Sequence, residues 1–204
     1  MSTDRQSVGL GPAADWYQVQ TGAAITYACG YCGDKVASAS GYQCNEGGTG
    51  AVVAFIRICP GCKRPTFFPV SGDRCPGTAP GRPVAELPDD LSKLYEEARQ
   101  SAAAQAPTAA VMVCRKILMN IAVSKGAQHG ESFVSYVDYL ANQGYIPPSG
   151  KSWVDYIRTK GNEANHEIAL MIPQDATSLI TFVEMLLKFI YEFPSLVPPP
   201  AVSP

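Results

Sequence analysis

The sequence predicts a small β zinc ribbon followed by an all-α helical bundle, and three observations carry that reading. Six of the seven cysteines fall between Cys29 and Cys75, in a stretch crowded with Gly and Pro. Four of these form two Cys-x-x-Cys turns, Cys29-Gly30-Tyr31-Cys32 and Cys59-Pro60-Gly61-Cys62, with 26 residues between them. From Asp89 onward, apolar residues recur at the three- and four-residue spacing of helices that bury one face. The composition changes near Gly81 to Leu87, where Ala79-Pro80-Gly81-Arg82-Pro83 has the breaker density of a linker. The expected organisation is an N-terminal segment with the ribbon over 1–83, the helical domain over 84–195 and a Pro-rich tail over 196–204.

The elements follow in order. Ala24–Ala28 and Ala51–Ile58 are strand-like, each leads directly into a Cys-x-x-Cys turn, and Thr66–Val70 reads as a further short strand. Asp89 or Asp90 can cap a first helix with Leu91, Leu94, Tyr95, Ala98 and Ala102 on one face. A second starts at Thr108, turns Val111, Cys114, Leu118 and Ile121 inward and stops at Gly126. A third runs from Ser132 to Asn142 and ends at Gly144, ahead of Pro147-Pro148. A fourth begins near Ser152, and a fifth runs from Asp175 to Phe193, where Pro194 and Pro198-Pro199-Pro200 are expected to end it. Residues 194–204 read as an extended tail.

Composition narrows the function classes. A 46% hydrophobic content over 204 residues is enough for a real core. The net charge of −2 argues against coating nucleic acid by bulk electrostatics. The charge is uneven: Gly22 to Arg82 holds six Lys or Arg against three Asp or Glu, and Pro83 to Pro204 nine against thirteen. A mildly basic front is weak support for a nucleic-acid face. The first ten residues are polar and lack the basic and apolar regions of a secretory signal, so a cytoplasmic location is expected. Leu179 to Phe193, interrupted by Glu184 and Lys188, is too short for a membrane span, and no transmembrane helix is expected.

Two Cys-x-x-Cys turns let four thiolates converge on one ion. Cys29, Cys32, Cys59 and Cys62 are therefore expected to hold one structural zinc in a closed tetrahedral site. About 60 loop-rich residues bury too little surface to fold without it. Disulfides do not suit a cytosolic chain, and no βαβ pattern surrounds either turn to suggest a thioredoxin-like pair. Cys44 or Cys75 could instead replace a knuckle cysteine or bind a second ion, while Cys114, on an apolar helical face, reads as a small buried hydrophobe.

The chemistry of the helical half concentrates in Ile157-Arg158-Thr159-Lys160-Gly161-Asn162-Glu163-Ala164-Asn165-His166, which holds one of only two histidines. On a helix, Arg158, Asn162 and His166 stand four residues apart and form one polar stripe about 12 Å long. An Arg fork can hold phosphate oxygens and a His can exchange a proton with a ribose hydroxyl, without a metal. A plainer reading also fits: the Gly-Asn pair ends a helix, His166 caps the next segment, and Arg158 pairs with Asp155 or Glu163. His129 sits in a Gly-flanked loop with no partner nearby, and Tyr136, Tyr139, Trp153 and Tyr156 read as packing residues.

Several of these residues also stand in a recognisable order. Leu87-Pro88 with Leu94-Tyr95-Glu96-Glu97-Ala98, Ala109-Ala110 leading to Arg115, Ile157-Arg158 with Gly161-Asn162 and His166, and Asp175-Ala176 span most of the helical half. In this the chain resembles a bacterial group known only as a domain of unknown function, the 4145 family, which is similar to the HEPN superfamily. That resemblance implies a HEPN-like helical bundle, a metal-independent endoribonuclease or close relative in a bacterial defence or stress system, RNA as a partner, and homodimerisation. It also implies Arg158, Asn162 and His166 as the catalytic residues; HEPN ribonucleases place some four to six residues between the Arg and the His, and here seven intervene. The competing expectation is a non-catalytic module that binds nucleic acid or a protein partner of a defence or restriction system.

Overall fold

The computed structural model describes residues 18–147, 150–166 and 170–196, without the side chains of Lys151 and of 161–166. The chain divides into two compact units. One holds the described residues up to Ala79 with Ala103–Gln105, and the other holds Pro80–Ala102 and the described residues from Ala106 onward.

The first unit is a four-stranded antiparallel meander of β1 (Gln20–Ala28), β2 (Lys35–Asn45), β3 (Val52–Ile58) and β4 (Pro65–Pro69), paired in that order. Three of these strands match the sequence expectation to within a few residues. β2 was not expected. Its run of Ala and Ser offers little apolar alternation, yet it lies between β1 and β3. Small residues suit that place, because a Cβ on Gly41 would come within 1.8 Å of the Ile56 carbonyl oxygen. Ser38 is buried and donates a 2.6 Å hydrogen bond to the Ile58 carbonyl. The fully enclosed hydrophobic cluster here is only Tyr27, Cys29 and Cys59, bordered by Ile25, Tyr31, Cys32, Val36, Cys62 and Phe68. Phe68 meets Tyr27 edge-on at 5.0 Å and stacks on Phe55 at 5.1 Å.

The second unit is all helical: α1 (Asp89–Ala103), α2 (Pro107–Ser124), α3 (Phe133–Asn142), α4 (Lys151–His166) and α5 (Pro173–Leu187), then a π-helical turn Lys188–Glu192 and a short α6 (Phe193–Leu196). α2 carries the centre of the core, burying Ala110, Val111, Cys114, Ile117, Leu118, Ile121 and Ala122 against α3, α4 and α5. By length and composition α2 is also the one helix among the described residues apolar enough to cross a membrane. Ser132, where the third helix was expected to begin, caps α3 by accepting a hydrogen bond from the Ser135 amide. At α5, Asp175 accepts from the Ile172 amide at 3.3 Å, half of a capping box.

One expectation is corrected. Pro194 does not end the last helix, because the π turn widens the coil just before it. The Phe193 amide reaches back to the Lys188 carbonyl, so the Pro194 ring avoids the carbonyl it would meet in a regular α-helix. Pro194 then sits in the first turn of α6, where no N–H is needed. The tail over 197–204 lies outside the described residues.

The breaker-rich stretch from Pro80 and the residues after it are tied down along the helical unit. Arg99 donates to the carbonyls of Pro80 and Gly81 at 3.1 Å each, the Arg82 amide donates to Glu184, and the Ala85 amide donates to Glu192. Tyr95, whose phenol is pushed up by burial and so keeps its proton, donates to the Arg82 carbonyl. Gly81 is required there: its φ is +72°, and a Cβ would meet the Tyr95 hydroxyl at 2.7 Å. Gly81→Ala is expected to cost about 1–3 kcal/mol, combining left-handed strain with overpacking, which urea unfolding of the full chain would measure.

Candidate functional site: a four-cysteine cluster and the α4 polar stripe

Each Cys-x-x-Cys turn closes a loop that leaves a strand and returns to the next, and both fold the same way. In the first, the Cys29 amide donates to the Asp34 carbonyl and the Gly33 amide to the Cys29 carbonyl. In the second, Cys59 donates to Arg64 and Lys63 to Cys59 in the same register. The fifth residue of each is left-handed, Gly33 at φ +75° and Lys63 at φ +62°. Glycine at 33 removes the steric cost that Lys63 bears. Gly30 is required by close approach, since a Cβ would lie 2.2 Å from the Gly77 carbonyl oxygen.

The two turns bring Cys29, Cys32, Cys59 and Cys62 together, with all four sulfurs within 4.8 Å of one another. Cys29 and Cys62 are 3.7 Å apart, and Cys32 and Cys59 are 3.8 Å apart. A regular tetrahedron with metal–sulfur bonds of about 2.3 Å has edges of about 3.8 Å, so the cluster fits a four-thiolate metal ion. It is the only such cluster among the described residues. Burial pushes the Cys62 thiol up to about 11 and raises Cys32 as well, with the neighbouring sulfurs adding to both. Burial also acts to raise Cys59, but the Cys62 and Gly61 amides and the Cys62 and Cys32 thiols outweigh it and hold Cys59 low. Thiols raised in this way, as at Cys32 and Cys62, ionise more readily beside a cation. Cys44 and Cys75 are exposed and outside the cluster, while Cys114 is fully buried, its thiol pushed up to about 12 by burial.

α4 runs without interruption from Lys151 to His166. The Gly161-Asn162 pair therefore does not end it, and at the level of the backbone Arg158, Asn162 and His166 share one helix at four-residue steps. The side chains of Asn162 and His166 lie outside the described residues. The Arg158 guanidinium, about one-third exposed, forms an ion pair with Asp138 on α3 and another at 3.2 Å with Asp155 one turn back. Asp155 was among the partners expected from sequence. Asp138 was not, because nothing in the residues placed α3 beside this part of α4.

Beside the stripe, Trp153 stacks on Phe182 at 5.9 Å and meets Tyr156 edge-on at 6.3 Å. Trp153 and Tyr156, with Ser152 and Ser178, line an open depression. Burial raises the Tyr156 phenol, helped by Asp175, to which it donates at 2.8 Å. Lys160 lies 3.6 Å from the same carboxylate. Tyr156 and Trp153 thus pack, as expected, while Trp153 keeps 38% exposure.

Comparison with known proteins adds one finding. A family model described as a domain of unknown function, DUF4145, matches residues 96–198, half of the chain. No curated protein and no solved structure matches.

Proposed function

From the chain's membership of the DUF4145 family, which the match over residues 96–198 establishes, we propose that its helical unit is a HEPN-like, metal-independent endoribonuclease or a close relative acting in bacterial defence or stress. The observation that carries this reading is the continuity of α4 through His166, which sets Arg158, Asn162 and His166 on one side of a single helix. His166 would take the proton of a ribose 2′-hydroxyl or give one to the leaving oxygen. Arg158 would stabilise the charge that develops on phosphorus, and Asn162 would orient the phosphate or the imidazole. The product would carry a 2′,3′-cyclic phosphate. As in the HEPN enzymes it resembles, two copies would meet through this motif as a homodimer, in the cytoplasm. Incubation with a panel of RNAs in excess EDTA tests the reading: cleavage to cyclic-phosphate ends supports it, and intact RNA across the panel rejects it.

For the cysteine cluster the reading is structural Zn²⁺, held by Cys29, Cys32, Cys59 and Cys62 with no position open to substrate. Four thiolates and no carboxylate suit a borderline-soft, redox-silent ion. The ribbon would brace its strands and offer a mildly basic face to RNA, with Arg64 stacked on Tyr31 at 4.8 Å.

A second reading has one observation in its favour. Asp138 and Asp155 already occupy the Arg158 fork, so a phosphate must displace at least one carboxylate. That arrangement suits a non-catalytic module binding nucleic acid or a protein partner of a defence or restriction system. Asp138→Asn tests whether Arg158 can reach phosphate, which the nuclease and a nucleic-acid-binding module both need. The pair is partly exposed, so stability should change by only about 0–1 kcal/mol. A phosphate-binding Arg158 should gain RNA affinity once released, measured by fluorescence anisotropy, whereas an arginine with a purely structural role should not.

A further inference from the structure

Two rings on α4 are held in place by the core and still open to solvent. The Trp153 indole lies nearly parallel to the Phe182 ring, with 21° between the planes, and Phe182 is buried on α5. The Tyr156 ring meets the indole at 84°, and its hydroxyl is tied at 2.8 Å to Asp175, itself buried. Both rings are therefore fixed before anything binds, and together they form a corner. That corner, with Ser152 and Ser178, lines the open depression, whose volume is about 250 Å³. Trp153 keeps 38% of its surface exposed there.

The lining selects a kind of ligand. Among the described residues it consists of two rings and two hydroxyls without a charged side chain, which suits a flat, uncharged ring with polar edges better than a bare anion. Pockets that enclose a drug-sized molecule measure about 300–1,000 Å³, so this smaller, open one takes a single ring and leaves the rest of its molecule outside.

α4 also sets the depression beside the polar stripe. Trp153 and Tyr156 face α5 through Phe182 and Asp175, whereas Arg158 faces α3 through Asp138. Between these flanks the exposed Ser152, Asp155 and Thr159 occupy the uncovered side of the helix. A helix turns by about 100° and rises about 1.5 Å per residue, so Trp153 and Arg158 stand about 7–8 Å apart along the axis. A single strand crossing that side reaches the rings with a base and the arginine with a phosphate.

We propose that the corner of Trp153 and Tyr156 binds one unpaired nucleobase of the RNA that the α4 stripe engages. The proposal rests on the reading of that stripe as facing RNA, and it adds the contact to a base that the stripe lacks. An aromatic platform accepts any base, but a base inside a duplex has its faces covered, so the site restricts the substrate to single-stranded segments.

Trp16 and Trp153 are the two tryptophans of the chain, so a full-length Trp16→Phe variant reports on Trp153 alone. Its emission should be quenched saturably by single-stranded 2′-O-methyl RNA, which cannot form a cyclic phosphate. An abasic oligomer of equal length and charge, or a duplex, should leave it unchanged. Trp153→Ala should weaken RNA binding about fivefold or more at constant salt, the usual effect of losing one stacked base. Trp153→Phe, which keeps a ring, should retain most of the affinity. The quenching is read on the native indole, so it decides the matter even if the alanine variant does not fold. Quenching without cleavage of ordinary RNA supports this site and rejects the nuclease reading, and cleavage without quenching does the reverse. Equal quenching by the abasic oligomer, no quenching by any RNA, or full affinity in folded Trp153→Ala overturns the proposal.

Discussion

Chelating the ribbon's metal should abolish the packed structure of β1 to β4 and leave the helices folded. The expectation follows from what each unit buries. The helical unit has a continuous core from Leu91 to Leu187, whereas the ribbon's buried hydrophobic cluster among the described residues is Tyr27, Cys29 and Cys59. Two of those three are ligands, so the centre of the ribbon and the centre of the metal site coincide. Structural zinc in small domains contributes about 10–16 kcal/mol of apparent binding energy at neutral pH, nearly all of it available to folding. An isolated sheet with so small a core has nothing comparable to replace it. Metal analysis should find about one zinc per chain. After chelation, amide exchange should lose its protection across Gln20–Pro69 and keep it in α2 and α5. Cys59→Ser should behave like the chelated chain, and retained protection of the strands in either case would refute the account of the ribbon.

The second large effect concerns catalysis. His166→Ala should lower RNA cleavage by about 100-fold or more, the usual contribution of a positioned general acid or base. Arg158→Ala should reduce it by a similar factor, about 100-fold, through lost stabilisation of transition-state charge. The histidine variant should melt close to the parent temperature, because alanine is the better helix former and α4 continues through this position. An unchanged rate in a folded His166→Ala protein would remove the stripe from the mechanism.

Much of this architecture was legible because local signals and global structure agree. The two Cys-x-x-Cys turns announced the cluster, since their spacing allows four sulfurs to converge whatever sheet carries them. Helix limits were readable where a cap supplies them, as at Ser132 and Gly126. β2 was invisible for a physical reason. Its centre, Ala37-Ser38-Ala39-Ser40-Gly41, carries only small side chains, and Gly41 lies too close to β3 for any other residue, so no alternating pattern marks it. The passage of the chain through Pro194 depended on a π turn that residue propensities do not encode. The clamp on Arg158 was half visible: Asp155 lies one turn away on the same helix, but Asp138 is twenty residues back on α3 and only packing brings it near.

The claim that α4 carries RNA-cleaving chemistry is tested most directly by counting 2′,3′-cyclic phosphate ends released in excess EDTA by the parent chain and by folded His166→Ala. Cyclic ends that accumulate with the parent and fall by about 100-fold or more in the variant are the predicted result. Equal release from both proteins, or none from either while RNA or partner binding persists, would contradict it.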